Sequence, residues 1–152
     1  MFSYADLVLY DRLGRLVAAA EIKNMRGTSG DWAAKLRRNI LAHGEFPPVD
    51  FYLIVTPDRL YLWKGAGNEP IVIQPAYEAD ARPIFKPYFD RARLTPAEVS
   101  GMAFELIVAS WLGDLIRLDE QAQELANDER WLVESGLLDA IKDGRIGYEV
   151  AT

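Results

Sequence analysis

The chain has 152 residues, half of them hydrophobic, and carries a formal net charge of −6. This length and composition support one packed domain and exclude a disordered or low-complexity protein. The absence of cysteine and the presence of a single histidine, His43, exclude disulfide frameworks, thiolate metal sites and zinc sites built from several imidazoles.

The first predicted elements form a β-hairpin. Residues 4–10 and 16–23 are rich in β-forming side chains, and the turn between them contains Gly14, which accepts a positive φ. The alanines at positions 18–20 are weak β-formers, so they indicate a face on which a large element packs closely. The pattern therefore predicts two antiparallel strands with a crowded surface.

A helix is predicted after the hairpin, from residue 32 to about residue 43. Asp31 is expected to cap its start, and Gly44 to end it. The side chains at helical spacing that define its predicted apolar face are Trp32, Leu36, Ile40 and His43.

Further strands are predicted in the middle of the chain. The continuous apolar run 51–55 is typical of a strand covered on both faces, and residues 59–63 are expected to run back beside it. A short strand is predicted at 70–74, and the proline-broken segment 75–95 is expected to be irregular.

The last third is predicted to be mostly helical. Helices are expected at 97–116, 119–133 and 137–142, with a terminal strand at 146–150. The order of elements predicts an α/β fold with one mixed central sheet flanked by helices. We expect a single domain over 1–152, with an αβ core at 4–74 and a mostly helical part at 96–152.

The predicted hairpin brings two acidic residues together. A turn centred between residues 13 and 14 places Asp6 opposite Glu21, with Lys23 on the same side of its strand. Directly opposed carboxylates destabilise a strand pair unless a cation or a shared proton lies between them. In the alternative interpretation, Asp6 lies in solvent at the strand end, and Glu21 and Lys23 form an exposed polar edge. A slip of one residue would put the two acids on opposite faces of the sheet. The same register gives two further pairs, Val8 with Ala19 and Tyr10 with Val17.

Paired carboxylates beside an ammonium suit metal-dependent attack on phosphorus. Mg²⁺ prefers oxygen ligands and usually takes one or two carboxylates, with water completing its shell. The amine of Lys23 would stabilise the negative charge that develops on the phosphoryl group. The three residues therefore predict a hydrolytic site.

The two strands resemble the motif of a known nuclease superfamily. Asp6-Leu7-Val8-Leu9-Tyr10, a glycine-containing turn and Ala20-Glu21-Ile22-Lys23-Asn24 are similar to the PD-(D/E)xK nucleases, which share the restriction-endonuclease-like fold. The segment also resembles the N-terminal nuclease domain of type I restriction motor subunits, over about residues 4–64. The resemblance implies that Asp6, Glu21 and the backbone carbonyl of Ile22 bind Mg²⁺ or Mn²⁺, that Lys23 is catalytic, and that DNA is the substrate.

Two features depart from the superfamily pattern. Ala5 stands where a proline often precedes the aspartate, and only five residues precede Asp6, whereas the superfamily usually has a helix there that often carries a further acid. We expect another element to cover the face that this helix covers in the superfamily. The candidates are the predicted helix at 97–116, which carries Glu98 and Glu105, and a partner subunit. Without such a cover the protein would be an inactive relative.

Charge distribution indicates where DNA would bind. Residues 1–43 carry seven basic and four acidic side chains, whereas residues 98–152 carry four and twelve. The densest basic patch contains Arg37 together with the predicted DNA-binding residues Arg26, Lys35 and Arg38. An ordinary solvated helix face is the alternative interpretation.

The leading hypothesis is a Mg²⁺-dependent nuclease that acts on DNA phosphodiesters. The alternative is a non-catalytic module of the same fold that serves protein assembly, because the last third is strongly acidic. A homodimer or partner contact through the C-terminal helices is expected, on a face formed by Ala103, Leu106, Ile107, Ser110 and Trp111. The start of the chain lacks a secretory signal pattern, so we expect a cytoplasmic protein with no membrane segment.

Overall fold

The computed structural model describes residues 5–44, 46–118, 125 and 127–148. The strands are β1 (Leu7–Tyr10), β2 (Leu16–Ile22), β3 (Phe51–Val55), β4 (Arg59–Lys64), β5 (Tyr77–Asp80) and β6 (Arg145–Tyr148). The helices are α1 (Gly30–Ala42), α2 (Arg82–Ala92), α3 (Gly101–Ile116), α4 (Arg130–Glu134) and α5 (Leu137–Ile141), with a 3₁₀ turn at Asn127–Glu129.

Six strands form one mixed sheet in the order β5-β4-β3-β2-β1-β6. β2 and β3 are parallel because α1 connects them as a crossover, and the other four neighbouring pairs are antiparallel. Helices cover both faces, so the predicted α/β class with a mixed central sheet is confirmed. The sheet extends beyond residues 4–74, since β5 and β6 form its two edges.

The two faces of the sheet contact different helices. One face packs under α2, α3, α4 and α5, whereas α1 covers the other. β3 illustrates the consequence, because Leu53 belongs to the first core and Tyr52 and Ile54 to the second. Every residue of β3 is buried, as the continuous apolar run predicts.

Helix α1 turns a different face toward the sheet from the one that the sequence predicts. Its fully buried side chains are Ala33, Ala34, Arg37 and Leu41, whereas the predicted apolar residues Trp32, Leu36 and Ile40 are half-buried and His43 is exposed. Ala33 and Ala34 belong to the same core as Ala19 of β2. The predicted inward face is therefore wrong by about one residue.

The start of α1 is also different from the prediction. Ser29 is the N-cap, and its hydroxyl oxygen accepts the N–H of Trp32. Asp31 lies inside the first turn, where its carboxylate accepts a hydrogen bond from Gln74 (2.9 Å). The helix ends at Ala42, before Gly44, as expected.

The segment from 70 to 95 is more regular than its prolines indicate. No strand forms at 70–74; β5 begins at Tyr77, and α2 follows it directly. Pro83 lies in the first turn of α2, where its missing N–H has no helical partner to lose. Pro87 lies inside the helix, and the buried aromatic rings of Phe85 and Phe89 hold α2 against α3 despite it.

The C-terminal part packs on the first core. α3 begins at Gly101, later than predicted, and no helix within the described ranges is long and apolar enough to cross a membrane. Residues 119–124 and 126 of the predicted helix at 119–133 lie outside the described residues; its described end forms the 3₁₀ turn and α4. β6 pairs with β1, which confirms a strand near the predicted 146–150, of which 149–150 lie outside the described residues.

Candidate metal centre

The hairpin register decides whether the two acids can meet. Leu7 pairs with Ala20 and Val8 with Ala19, as predicted. The pairing then shifts between Leu9 and Tyr10, so that Tyr10 pairs with Leu16 and the predicted Tyr10–Val17 pair is wrong. The irregularity lies at the turn end of the hairpin and leaves the register at the other end unchanged.

The carboxylate of Asp6 contacts the end of β2. Asp6 precedes β1 by one residue, and its N–H donates to the carbonyl oxygen of Ala20 (3.0 Å). Its Oδ2 accepts the N–H of Ile22 at 2.7 Å. In an extended strand the N–H and C=O of one residue point to the same side, so the Ile22 carbonyl is also directed to the Asp6 side of β2.

Glu21 and Lys23 form the other half of the site. The Nζ of Lys23 lies 3.6 Å from Oε1 of Glu21, and the two side chains are 40% and 13% exposed, respectively. Burial and then the charge of Asp6 raise the pKa of Glu21 to about 7, and Lys23 opposes that rise. The charge of Asp6 is therefore close enough to disfavour the ionisation of Glu21, as expected for a carboxylate opposite another.

Helix α3 lies beside this pair. The side-chain amide of Asn24 donates to the carbonyl oxygen of Val99 (2.8 Å), which ties the end of β2 to the segment that leads into α3. Burial and the charge of Asp6 raise the pKa of Glu105. Glu98, the other acid predicted to cover the site, instead accepts a hydrogen bond from the hydroxyl of Thr95 at the preceding turn.

A buried polar cluster lies behind the carboxylates on the α1 face of the sheet. Tyr52 pairs with Ala19 on one side and with Trp63 on the other, which places it one step along the sheet from Glu21. The Arg37 guanidinium lies 5.8 Å from the Trp63 ring and is only 1% exposed. Its Nη2 donates to the carbonyl oxygen of Gly67 (2.9 Å), whereas Nε and Nη1 have no hydrogen-bond partner among the described residues.

The predicted basic patch is only partly at the surface. Arg37 is buried, so its inclusion in the patch is wrong. It follows Ala33 and Ala34 at helical spacing and therefore lies on the same inward face of α1, which the sequence analysis did not identify. Arg26 and Lys35 are exposed and Arg38 is half-buried. No described hydrogen bond or ion pair connects these three residues with the carboxylate pair, and their role in DNA binding stays a prediction.

The donors fit a hard divalent cation with a partly hydrated shell. No group of three or more histidine, aspartate or glutamate side chains suited to a metal ion is found in the part of the chain that the structure describes. Two carboxylates and one backbone carbonyl, with waters, are a set that Mg²⁺ or Mn²⁺ accepts. The half-buried Asp6 and Glu21 supply the carboxylate oxygens of such a set.

The chain has no match among protein-family models, curated proteins or solved structures. The interpretation of the site therefore depends on the geometry of its own residues.

Proposed function

We propose that this protein is a Mg²⁺- or Mn²⁺-dependent nuclease that hydrolyses DNA phosphodiesters. The observation that carries the proposal is the juxtaposition of Asp6, Glu21 and Lys23 at the open end of the hairpin. Two opposed, half-buried carboxylates are unfavourable on their own, and binding one divalent cation would relieve that repulsion.

Each residue has a separate part in the reaction. Asp6, Glu21 and the Ile22 carbonyl would hold the ion, which would supply Lewis-acid chemistry at the phosphate. Lys23 is half-exposed, so its ammonium can reach a phosphoryl oxygen and stabilise the charge that develops there. Hydrolysis adds a water oxygen to phosphorus and breaks one P–O ester bond, and a proton ends on the leaving oxygen.

The order of elements supports a restriction-endonuclease-like fold for the core. An antiparallel hairpin carries the acids and the lysine, α1 follows, and β3 then pairs in parallel with β2. The position of α3 beside Asp6 supports the expectation that a C-terminal helix covers the face for which the superfamily uses an N-terminal one.

The DNA substrate is supported by charge alone. The first third of the chain is net positive. Lys35 is exposed on α1, and Arg26 is exposed in the loop that precedes this helix. A cytoplasmic location remains a prediction that accompanies this substrate.

Metal binding is tested first by thermal shift. At a hundredfold excess over its dissociation constant, Mg²⁺ or Mn²⁺ should stabilise the protein by about 2.7 kcal/mol, which raises Tm by roughly 5–10 °C. Asp6→Asn should abolish that shift, because it removes one ligand. Asp50→Asn removes an exposed acid elsewhere and should keep it. An equal shift in both variants would mean that the ion binds somewhere else.

Catalysis is tested by nicking of supercoiled DNA. Lys23→Ala should reduce the rate by about 10²-fold, since it removes one group that stabilises the transition state. The variant should still give the metal-induced thermal shift, which separates loss of catalysis from loss of metal. Equal nicking by both proteins, or none by either with Mg²⁺ or Mn²⁺, would overturn the nuclease proposal.

A non-catalytic assembly module is the second candidate, and one surface favours it. Met102 and Leu106 are 77% and 61% exposed on α3 and lie four residues apart, on one face of the helix. The predicted partner face needs correction, because Ile107 and Trp111 are buried against the protein's own core. A wild-type protein without any metal-induced shift would favour this second candidate.

A further inference from the structure

The sheet register places an arginine in the same row as Lys23. The N–H of Lys23 donates to the carbonyl oxygen of Val55 (2.9 Å), and the N–H of Thr56 donates to that of Arg59 (2.9 Å). Lys23, Thr56 and Arg59 are therefore neighbours across β2, β3 and β4, and their side chains face the same way as Glu21 because directions alternate along a strand. Two strand spacings separate the backbones of Lys23 and Arg59 by about 10 Å.

Hydrogen bonds hold the turn that presents Arg59. The hydroxyl of Thr56 is buried; it accepts the N–H of Arg59 (3.0 Å) and donates to the Asp58 carboxylate (3.1 Å). The other oxygen of Asp58 accepts the N–H of Gly27 (3.0 Å). This contact ties the turn to the loop between β2 and α1, and that loop also carries the exposed Arg26. The backbone under Arg59 is therefore fixed relative to the end of β2.

A polar cavity of about 270 Å³ opens beside Arg59. Its lining consists of Gly27, Thr28, Asp58, Arg59, Asp80 and Arg82. Asp80 is the cross-strand partner of Arg59, but Arg82 already contacts both of its carboxylate oxygens (2.9 and 2.7 Å). The exposed guanidinium of Arg59 makes no hydrogen bond or ion pair within the described ranges, so its donors are available to a ligand.

The chemistry and position of Arg59 suit a phosphate of a nucleic-acid strand. A guanidinium presents a planar fork of N–H donors that matches phosphate oxygens. B-DNA rises about 3.4 Å per nucleotide of each strand, so a separation of about 10 Å corresponds to at most about three nucleotides. A strand whose scissile phosphate lies at Lys23 can therefore bring a neighbouring phosphate to Arg59.

We propose that the cavity beside Arg59 is a phosphate-binding subsite for the DNA strand that is cleaved. The guanidinium of Arg59 contacts a phosphate up to three nucleotides from the scissile one, and the strand crosses the end of the sheet from β2 toward β5. This inference rests on the proposed nuclease function, and it adds a substrate contact that lies 36 positions after Lys23 in the sequence.

The test measures nicking of supercoiled DNA by the full chain at several NaCl concentrations. Arg59→Ala should lower kcat/KM about tenfold, since it removes one charge-assisted hydrogen bond. The plot of log kcat/KM against log salt should become less steep by about 1, because one phosphate contact is lost. The kcat at saturating DNA should stay within twofold, since the phosphate at Arg59 does not react. Arg59→Lys keeps the charge and should restore most of the salt dependence.

Arg12→Ala is the matched control, because Arg12 is an exposed arginine in the hairpin turn, at the opposite end of β1 and β2 from Lys23. It should leave kcat/KM and its salt dependence unchanged. Wild-type values for Arg59→Ala, an equal loss in Arg12→Ala, or a fall in kcat with the salt dependence unchanged would overturn the subsite and leave the proposed function intact. An inactive wild-type protein with Mg²⁺ and Mn²⁺ would overturn both.

Discussion

At the scale of single residues, the charge of Glu21 is unfavourable in the folded protein. Its carboxylate is largely buried, it lies beside Asp6, and Lys23 provides incomplete compensation at 3.6 Å. A group in this position prefers to hold a proton in the folded protein unless a cation replaces it. The same feature that suits metal binding therefore makes the metal-free protein sensitive to pH.

Stability of the metal-free protein should fall as the pH rises from about 5 to 8. The unfolded chain loses the Glu21 proton near its ordinary pKa of 4.5, whereas the folded protein keeps it until the pKa of about 7. The folded state thus binds more protons between these values, and its free energy of unfolding decreases by roughly 3 kcal/mol across them. Burial raises the pKa of Glu105 and Glu129 as well, which acts in the same direction.

Urea unfolding at several pH values checks this expectation. Glu21→Gln should flatten most of the decrease, because the amide does not ionise. Wild-type stability that stays constant or rises between pH 5 and 8 would contradict the assigned environment of Glu21.

At the scale of elements, α1 shows how a short local signal sets a helix boundary. Both Ser29 and Asp31 are residue types that cap helices, so the local sequence offers two starts. The structure uses Ser29, whose hydroxyl oxygen accepts the N–H of Trp32, and Asp31 lies inside the first turn, where it accepts a hydrogen bond from Gln74. The side-chain hydrogen bond to the backbone therefore marks which of the two residues begins the helix.

Substitution at the two candidate caps should separate them. Ser29→Ala removes the acceptor for the N–H of Trp32 and should lower the free energy of unfolding by about 1 kcal/mol. Asp31→Asn keeps an oxygen for Gln74 and loses only a charge in the first turn, so it should change stability by at most about 0.5 kcal/mol. Chemical denaturation of both variants gives the comparison, and a larger loss for Asp31→Asn would favour the cap that the sequence predicts.

At the scale of the whole molecule, the C-terminal strand completes the sheet next to the hairpin. β6 pairs with all four residues of β1, so the first and last strands of the described chain are neighbours. The turn that leads into β6 passes very close to β1, since a Cβ at Gly144 would overlap the carbonyl oxygen of Tyr10. Docking of the C-terminal part therefore depends on a glycine at this position.

Gly144→Ala should lower the free energy of unfolding by about 2–3 kcal/mol, because the backbone of Tyr10 or of the turn must move. Gly101→Ala is the control, since a Cβ there meets nothing within 4 Å and its φ lies outside the glycine-favouring region. It should leave stability unchanged or raise it by up to about 1 kcal/mol. Urea denaturation measures both, and similar values for the two variants would mean that β6 does not dock as described.

Local pattern by itself determined the hairpin, its register near Asp6, the helix that follows and the buried strand β3. These features depend on interactions between residues close in sequence, or on a spacing of 2 or 3.6 residues between apolar side chains, which the order of residues displays directly. The motif Asp6, Glu21 and Lys23 belongs to this category, and the structure brings its three side chains together.

Only the tertiary structure decided what surrounds that motif. The burial of Arg37, the place of Tyr52 behind Glu21 and the position of α3 beside Asp6 all depend on contacts between distant segments. The helix α2, hidden by its prolines, belongs here too, because its aromatic packing on α3 outweighs weak local propensity. Such contacts form only when long-range packing offsets the entropy of closing the intervening chain, and no local pattern records that balance.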